Sequence, residues 1–98
     1  MAELVLVLCA RVPSAGVSDF QAYEARVLPL LAEYGGALER RLRNMDGTVE
    51  VHVLRFASRD GLDRFRRDAR RTEAAPILER SGASMELIEV EDVADALA

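Results

Sequence analysis

The chain has 98 residues and a mass of 10.8 kDa, which is room for one domain, spanning residues 1–98, around one core. Half of the residues are hydrophobic and 31% are charged, with only six glycines and three prolines, a composition that excludes disorder and collagen-like repeats. The formal charge of −4 argues against a nucleic-acid partner, because such proteins present a positive field.

The segment Leu4 to Arg11 is apolar on both alternating faces, with Leu4, Leu6 and Leu8 on one and Val5, Val7 and Cys9 on the other. It predicts a strand covered on both sides. Its apolar run is far shorter than the roughly 20 residues that span a bilayer and lacks the basic start of a signal peptide, so a cytoplasmic location without a membrane partner is expected. Cys9, the single cysteine, is expected to be an inert core thiol. All thirteen basic residues are arginine, a bias that points to a GC-rich, bacterial coding source.

A loop at Val12 to Gly16 precedes a helix, with Ser18 and Gln21 spaced as a capping box. The helix runs to about Tyr34, with Phe20, Tyr23, Val27, Leu30, Leu31 and Tyr34 on its apolar stripe and Glu24, Arg26 and Glu33 on its wet side. Pro29 should bend it and Gly35-Gly36 should end it. Two extended runs, Ala37 to Met45 and Thr48 to Ala57, flank Asp46-Gly47, the signal for a two-residue hairpin turn. That turn sets Leu42 opposite Val51 and Arg40 opposite Val53 on a mainly apolar side, and Arg43 opposite Glu50 and Arg41 opposite His52 on a polar side. Ser58 or Asp60 can cap a second helix with Leu62, Phe65 and Ala69 inward and Arg64, Arg67 and Arg71 outward, broken at Pro76. A further turn reaches Gly82, a last strand spans Ala83 to Val90, and residues 91–98 form a fraying tail.

The order βαββαβ is the ferredoxin-like α+β arrangement, an antiparallel sheet with two helices on one face. Two helices leave the second apolar face of the first strand bare. The simplest cover is the same face of a second copy, giving a homodimeric α+β barrel that can enclose a cavity.

The run from Tyr23 through Leu28-Pro29-Leu30-Leu31 to Tyr34-Gly35-Gly36 resembles the helix and Tyr-Gly-Gly turn of the family called "domain of unknown function 1330", in the dimeric α+β barrel superfamily. Phe56-Ala57-Ser58-Arg59 and Ala75-Pro76-Ile77-Leu78 are similar as well, so the resemblance covers about residues 3 to 90. The chain departs from the pattern at Ala37 to Arg43, where the family often carries a further Arg-Gly-Gly-like segment. The resemblance implies a homodimer whose sheets close a barrel, with no settled reaction.

The chemistry-bearing candidates are His52, the only imidazole, with Glu50, Arg41 and Arg43 on one side of the hairpin. Histidine can act as a base near neutral pH, and an adjacent arginine can hold a developing oxyanion. The plain alternative is a cross-strand charge ladder at the surface or at a dimer rim. Tyr23 and Tyr34, on one helix face, can direct phenols at a ligand or simply pack. Arg59 to Arg71 holds six arginines against Asp60, Asp63 and Asp68, which reads as a solvated face of helical ion pairs. No HExxH, CxxC, P-loop or GxGxxG occurs, so neither a metal nor an organic cofactor is expected. Two functions follow: a structural or small-molecule-binding dimer, or a cofactor-independent oxygenase, isomerase or cyclase on a polyketide-like or enolisable ligand, with His52 as base and Arg41 as oxyanion partner.

Overall fold

The computed structural model describes residues 3–93. Four strands and three helices follow in the order β1 (Leu4–Arg11), α1 (Val17–Val27), β2 (Gly36–Arg43), β3 (Val49–Phe56), α2 (Arg59–Arg66), α3 (Ala69–Ser81) and β4 (Ser84–Val90). The sheet order is β2-β3-β1-β4 with every pair antiparallel, the ferredoxin-like α+β topology expected from the sequence. Residues 94–98 of the expected tail lie outside the described residues, and Glu91–Val93 have no regular structure. No helix among the described residues is long and apolar enough to cross a membrane.

The helices cover one face of the sheet. Leu4 and Leu6 of β1 and Leu54 and Phe56 of β3 meet Tyr23, Val27, Leu31, Leu62 and Phe65 in one buried cluster. Val5, Val7 and Cys9 occupy the opposite face of β1, next to Val51 and Val53 of β3 and Ile88 and Val90 of β4. No element among the described residues covers that face, so Cys9 is only partly buried there rather than in the core as expected.

The hairpin keeps the expected register from Arg40↔Val53 to Arg43↔Glu50, but not through a two-residue turn. Asp46 does not take the positive φ that such a turn requires, while Gly47 does, at 79°. The chain instead closes between Asn44 and Val49, and this longer loop leaves opposite residue numbers with the same sum. Further along, a bulge between Leu38 and Arg40 shifts the register by one residue.

Three helix expectations need correction. Ser18 forms no capping box, because α1 begins at Val17 on Gly16 without a side-chain cap. Pro29 does not bend a continuous helix but marks a change to a 3₁₀ segment, Leu28–Tyr34, ended by Gly35 at φ 72°; proline lacks the N–H that an α-turn would use there. Pro76 lies inside α3 without breaking it, as the carbonyl it leaves free, that of Thr72, belongs to an exposed residue and can be hydrated. The break falls earlier, where Asp68 caps α3 by accepting from the Arg70 N–H (2.7 Å). Ser58 caps α2 as expected, accepting from the Gly61 N–H at 3.1 Å.

Candidate functional site

Along β3 the side chains alternate, so Glu50 and His52 point the same way as Leu54 and Phe56, toward the helices. The polar side of the hairpin therefore lies under the helices and not on the open sheet face, with Glu50 and His52 buried and Arg41 and Arg43 partly exposed at its edge. It is roofed by α1, which delivers a residue that the sequence pattern had assigned to solvent, Glu24, only 3% exposed. Glu24 follows Phe20 by four residues, and that i, i+4 spacing on the apolar stripe is the signal that locates it.

These residues form one connected cluster. His52 Nε2 lies 2.5 Å from Glu50 Oε2 and 3.0 Å from Glu24 Oε2. Arg41 donates from Nη2 to Glu24 Oε1 (2.9 Å) and from Nε to Glu50 Oε2 (3.0 Å), and Arg43 Nε donates to Glu50 Oε1 (2.7 Å). Burial alone would raise the Glu50 carboxyl, but its hydrogen bonds with Glu24, His52, Arg43 and Arg41 outweigh burial and hold it at about 2. Glu24 is raised, chiefly by burial and further by the neighbouring Glu50 charge. Burial would lower His52, yet its bonds with the two glutamates prevail and raise it. Glu50 is thus the fixed anion, and Glu24 and His52 both hold a proton more tightly than their ordinary counterparts.

A cavity of about 90 Å³ lies between the sheet and the helices, with walls that include Leu8, Val27, Leu54 and Phe65 together with Glu24 and His52. A second hollow of about 250 Å³ shares Leu8, Leu54, Phe65, Arg71 and Met85 with it. Drug-sized ligands occupy about 300–1,000 Å³, so the inner cavity alone takes only a small group.

The candidates separate accordingly. His52 reaches the cavity, and Glu50 and Arg43 stand behind it. Arg41 does not line the cavity; its guanidinium is taken up by two carboxylates, Glu24 and Glu50. Tyr23 is buried on the cavity wall. Tyr34 is remote, its hydroxyl donating to Asp68 while Arg70 joins Asp68 to Glu33, so it ties the 3₁₀ segment to the start of α3. Arg71, expected to face solvent, turns inward over Phe65, with Cζ 5.0 Å from the ring centroid. Its Nε is the one buried side-chain nitrogen or oxygen without a hydrogen-bond partner among the described residues, a condition that costs about 1–3 kcal/mol. Nothing in the helical charge pattern distinguishes Arg71 from its five neighbouring arginines.

Ligand atoms of Glu24, Glu50 and His52 lie within 4.8 Å of one another, close enough to hold a metal ion. Arg41 bridges both carboxylates and His52 favours its protonated form, so a divalent ion would have to displace a guanidinium and a proton. The donor set fits an internal salt-bridge cluster better than a metal centre.

No family model matches the chain, and no curated protein matches it. Solved structures do. The cofactor-independent oxygenase SnoaB from Streptomyces nogalater superposes with a TM-score of 0.72 at 19% identity, covering 97% of this chain and 99% of that one. A Nitrosomonas europaea protein assigned by its name to the antibiotic biosynthesis monooxygenases gives 0.75 at 13% identity, over 92% and 98% of the two chains. An uncharacterised NIPSNAP domain protein from Burkholderia xenovorans gives 0.72 at 14%, over 97% and 99%. At these identities the likeness shows the fold alone. That fold is the ferredoxin-like α+β arrangement described above.

Proposed function

We propose that this protein is a cofactor-independent enzyme that removes a proton from an enolisable, mainly apolar small molecule in the cavity beneath α1. The observation that carries this reading is the buried Glu24–His52 pair in the wall of a mainly apolar cavity. Buried groups biased toward holding a proton suit abstraction from a weak carbon acid. In this scheme the C–H proton passes to the Glu24 carboxylate, which the protonated His52 holds in place, and the C–H electron pair moves into the adjacent carbonyl, giving an enolate. Reprotonation elsewhere gives an isomerase and attack on an internal carbonyl a cyclase. Reaction with dioxygen, which supplies both the new product oxygen and the oxygen of the water released, gives an oxygenase. The likeness to a cofactor-independent oxygenase favours the last.

The test is solvent-deuterium exchange at the activated CH2 of 2-tetralone, followed by NMR. Wild type should accelerate exchange, and Glu24→Gln and His52→Asn should each lose about 10²-fold or more while keeping the native circular dichroism spectrum. Exchange at the wild-type rate in both variants sinks the proposal. The second reading, ligand binding without turnover, draws on the small inner cavity and would be supported by binding with no exchange.

The bare sheet face, with Val5, Val7, Val51, Val53 and Ile88 on it, supports a homodimer in which a second copy covers it. Light scattering should give twice 10.8 kDa, and Val53→Glu should halve that mass. The Tyr34-Gly35-Gly36 turn supports membership of the domain of unknown function 1330 family, and the single cysteine fits a cytoplasmic location.

A further inference from the structure

We propose that Arg71 is the anion anchor of the cavity, and that the ligand is a small, flat, mainly apolar molecule carrying one acidic oxygen, as a carboxylate, phenolate or enolate. The inference deepens the reading above in that it needs the cavity to bind a ligand, but it does not need turnover.

Arg71 lacks the counter-charge that its neighbours have. Arg41 has two carboxylates and the adjacent Arg70 also has two, Glu33 and Asp68, whereas Arg71 has no ion pair among the described residues. Its Nη1 donates to the Arg66 carbonyl at 3.0 Å and its Nη2 makes a long contact, 3.4 Å, with the Tyr23 hydroxyl. Nε is buried with no acceptor. The Nε and Nη2 hydrogens share one edge of the guanidinium, the edge that grips a carboxylate in bidentate fashion; because Nε is closed off as it stands, a ligand engages both donors only with a shift of the side chain. One of its two donors is therefore unused and the other is weakly used, while the guanidinium sits over the Phe65 ring.

Arg71 lines both the inner cavity and the adjoining hollow, so a ligand long enough to occupy both passes over it. Leu8, Leu54, Phe65 and Met85 line the same two spaces and offer only apolar contacts. A ligand held there by an acidic oxygen on Arg71 extends its apolar body toward Glu24 and His52. A neutral ligand would leave both the orphan N–H and the unpaired positive charge as they are.

The experiment titrates the full chain with 2-naphthoate and with its neutral methyl ester. Wild type should prefer the acid by about tenfold or more, the range of a charge-assisted hydrogen bond. Arg71→Gln should bring the acid and ester affinities together, with the ester little changed, and Arg71→Lys should fall between. Because Arg71→Gln could unfold by losing its contact with Phe65, the wild-type Arg71 Nε–H resonance is followed in parallel, and it should shift and gain exchange protection as 2-naphthoate is added. Equal wild-type affinities, an acid preference that survives in a folded Arg71→Gln, a static Nε–H resonance, or no binding of either probe at millimolar concentration would each overturn the proposal. Acid preference without deuterium exchange on 2-tetralone leaves the anchor standing and removes the catalytic reading; exchange without acid preference does the reverse.

Discussion

The inward face of β3 carries two halves built on the same backbone and buried by the same helix layer: Leu54 and Phe56 at one end, Glu50 and His52 at the other. The apolar half is held by burial and shape, with Phe56 fully enclosed and its ring 5.8 Å from that of Phe65. The polar half is equally inaccessible but depends on charge balance, two glutamates against His52, Arg41 and Arg43. Depth in a fold therefore does not fix which force maintains it. The first half should be indifferent to pH and the second governed by it.

Truncation should separate the halves most strongly. Phe56→Ala is expected to cost about 3–5 kcal/mol by urea unfolding, with the same loss at every pH. Glu50→Gln is expected to cost about 3 kcal/mol near neutrality, because it leaves Arg41, Arg43 and His52 facing an uncharged group. That loss should shrink toward zero as the pH approaches 2, where the wild-type carboxyl is itself protonated; a pH-independent loss would contradict the charge-balance account.

The titrating groups sharpen the comparison further. Glu50 is lowered, so its contribution is complete above its ordinary value of 4.5 and disappears as the pH falls toward about 2. His52 is raised, so its contribution is complete below its ordinary value of 6.5 and is lost as the pH rises through its folded value. Glu24, also raised, opposes Glu50: its contribution is complete below its ordinary value of 4.5 and is lost as the pH rises through its folded value. His52→Gln should flatten the alkaline limb of the stability profile, while Phe56→Ala should lower the whole profile without changing its shape. The smallest effect is expected at the surface. Arg59 and Glu89 pair at 2.8 Å with both side chains more than half exposed, so Glu89→Gln should change stability by no more than about 0.5 kcal/mol.

Much of this frame was legible in the sequence, because it rests on local chemistry. The two-sided apolarity of Leu4 to Arg11, the glycine stops at Gly35 and Gly82 and the Ser58 cap each follow from a residue's own conformational preferences. The pairing of Arg41 with His52 and of Arg43 with Glu50 was legible too, since a longer loop keeps the parity that a two-residue turn would give. The site was legible only in part. His52, Glu50, Arg41 and Arg43 stood out as a set, but Glu24 and Arg71 were placed in water on polarity alone. Their true settings depend on partners distant in sequence, His52 for one and the Phe65 ring with the Tyr23 hydroxyl for the other. A helical charge pattern says where a polar group would rest if nothing met it. It does not say that an opposing strand brings a counter-charge, or that a charge is kept dry.

The bulge at Glu39 gives the hairpin two reading frames. In an unbroken strand, positions three apart lie on opposite faces, yet Leu38 pairs with Leu54 and Arg41 with His52, and both of those partners point toward the helices. The one supernumerary residue between them resets the alternation, so a single strand supplies a greasy contact at one end and a guanidinium at the other, both on the helix side. Losing one codon there would force a choice: restore alternation around Leu38 and send Arg41 and Arg43 to the bare face, or keep the arginines and evict Leu38 from the core. Insertions and deletions elsewhere in surface loops cost length; here they would cost a phase.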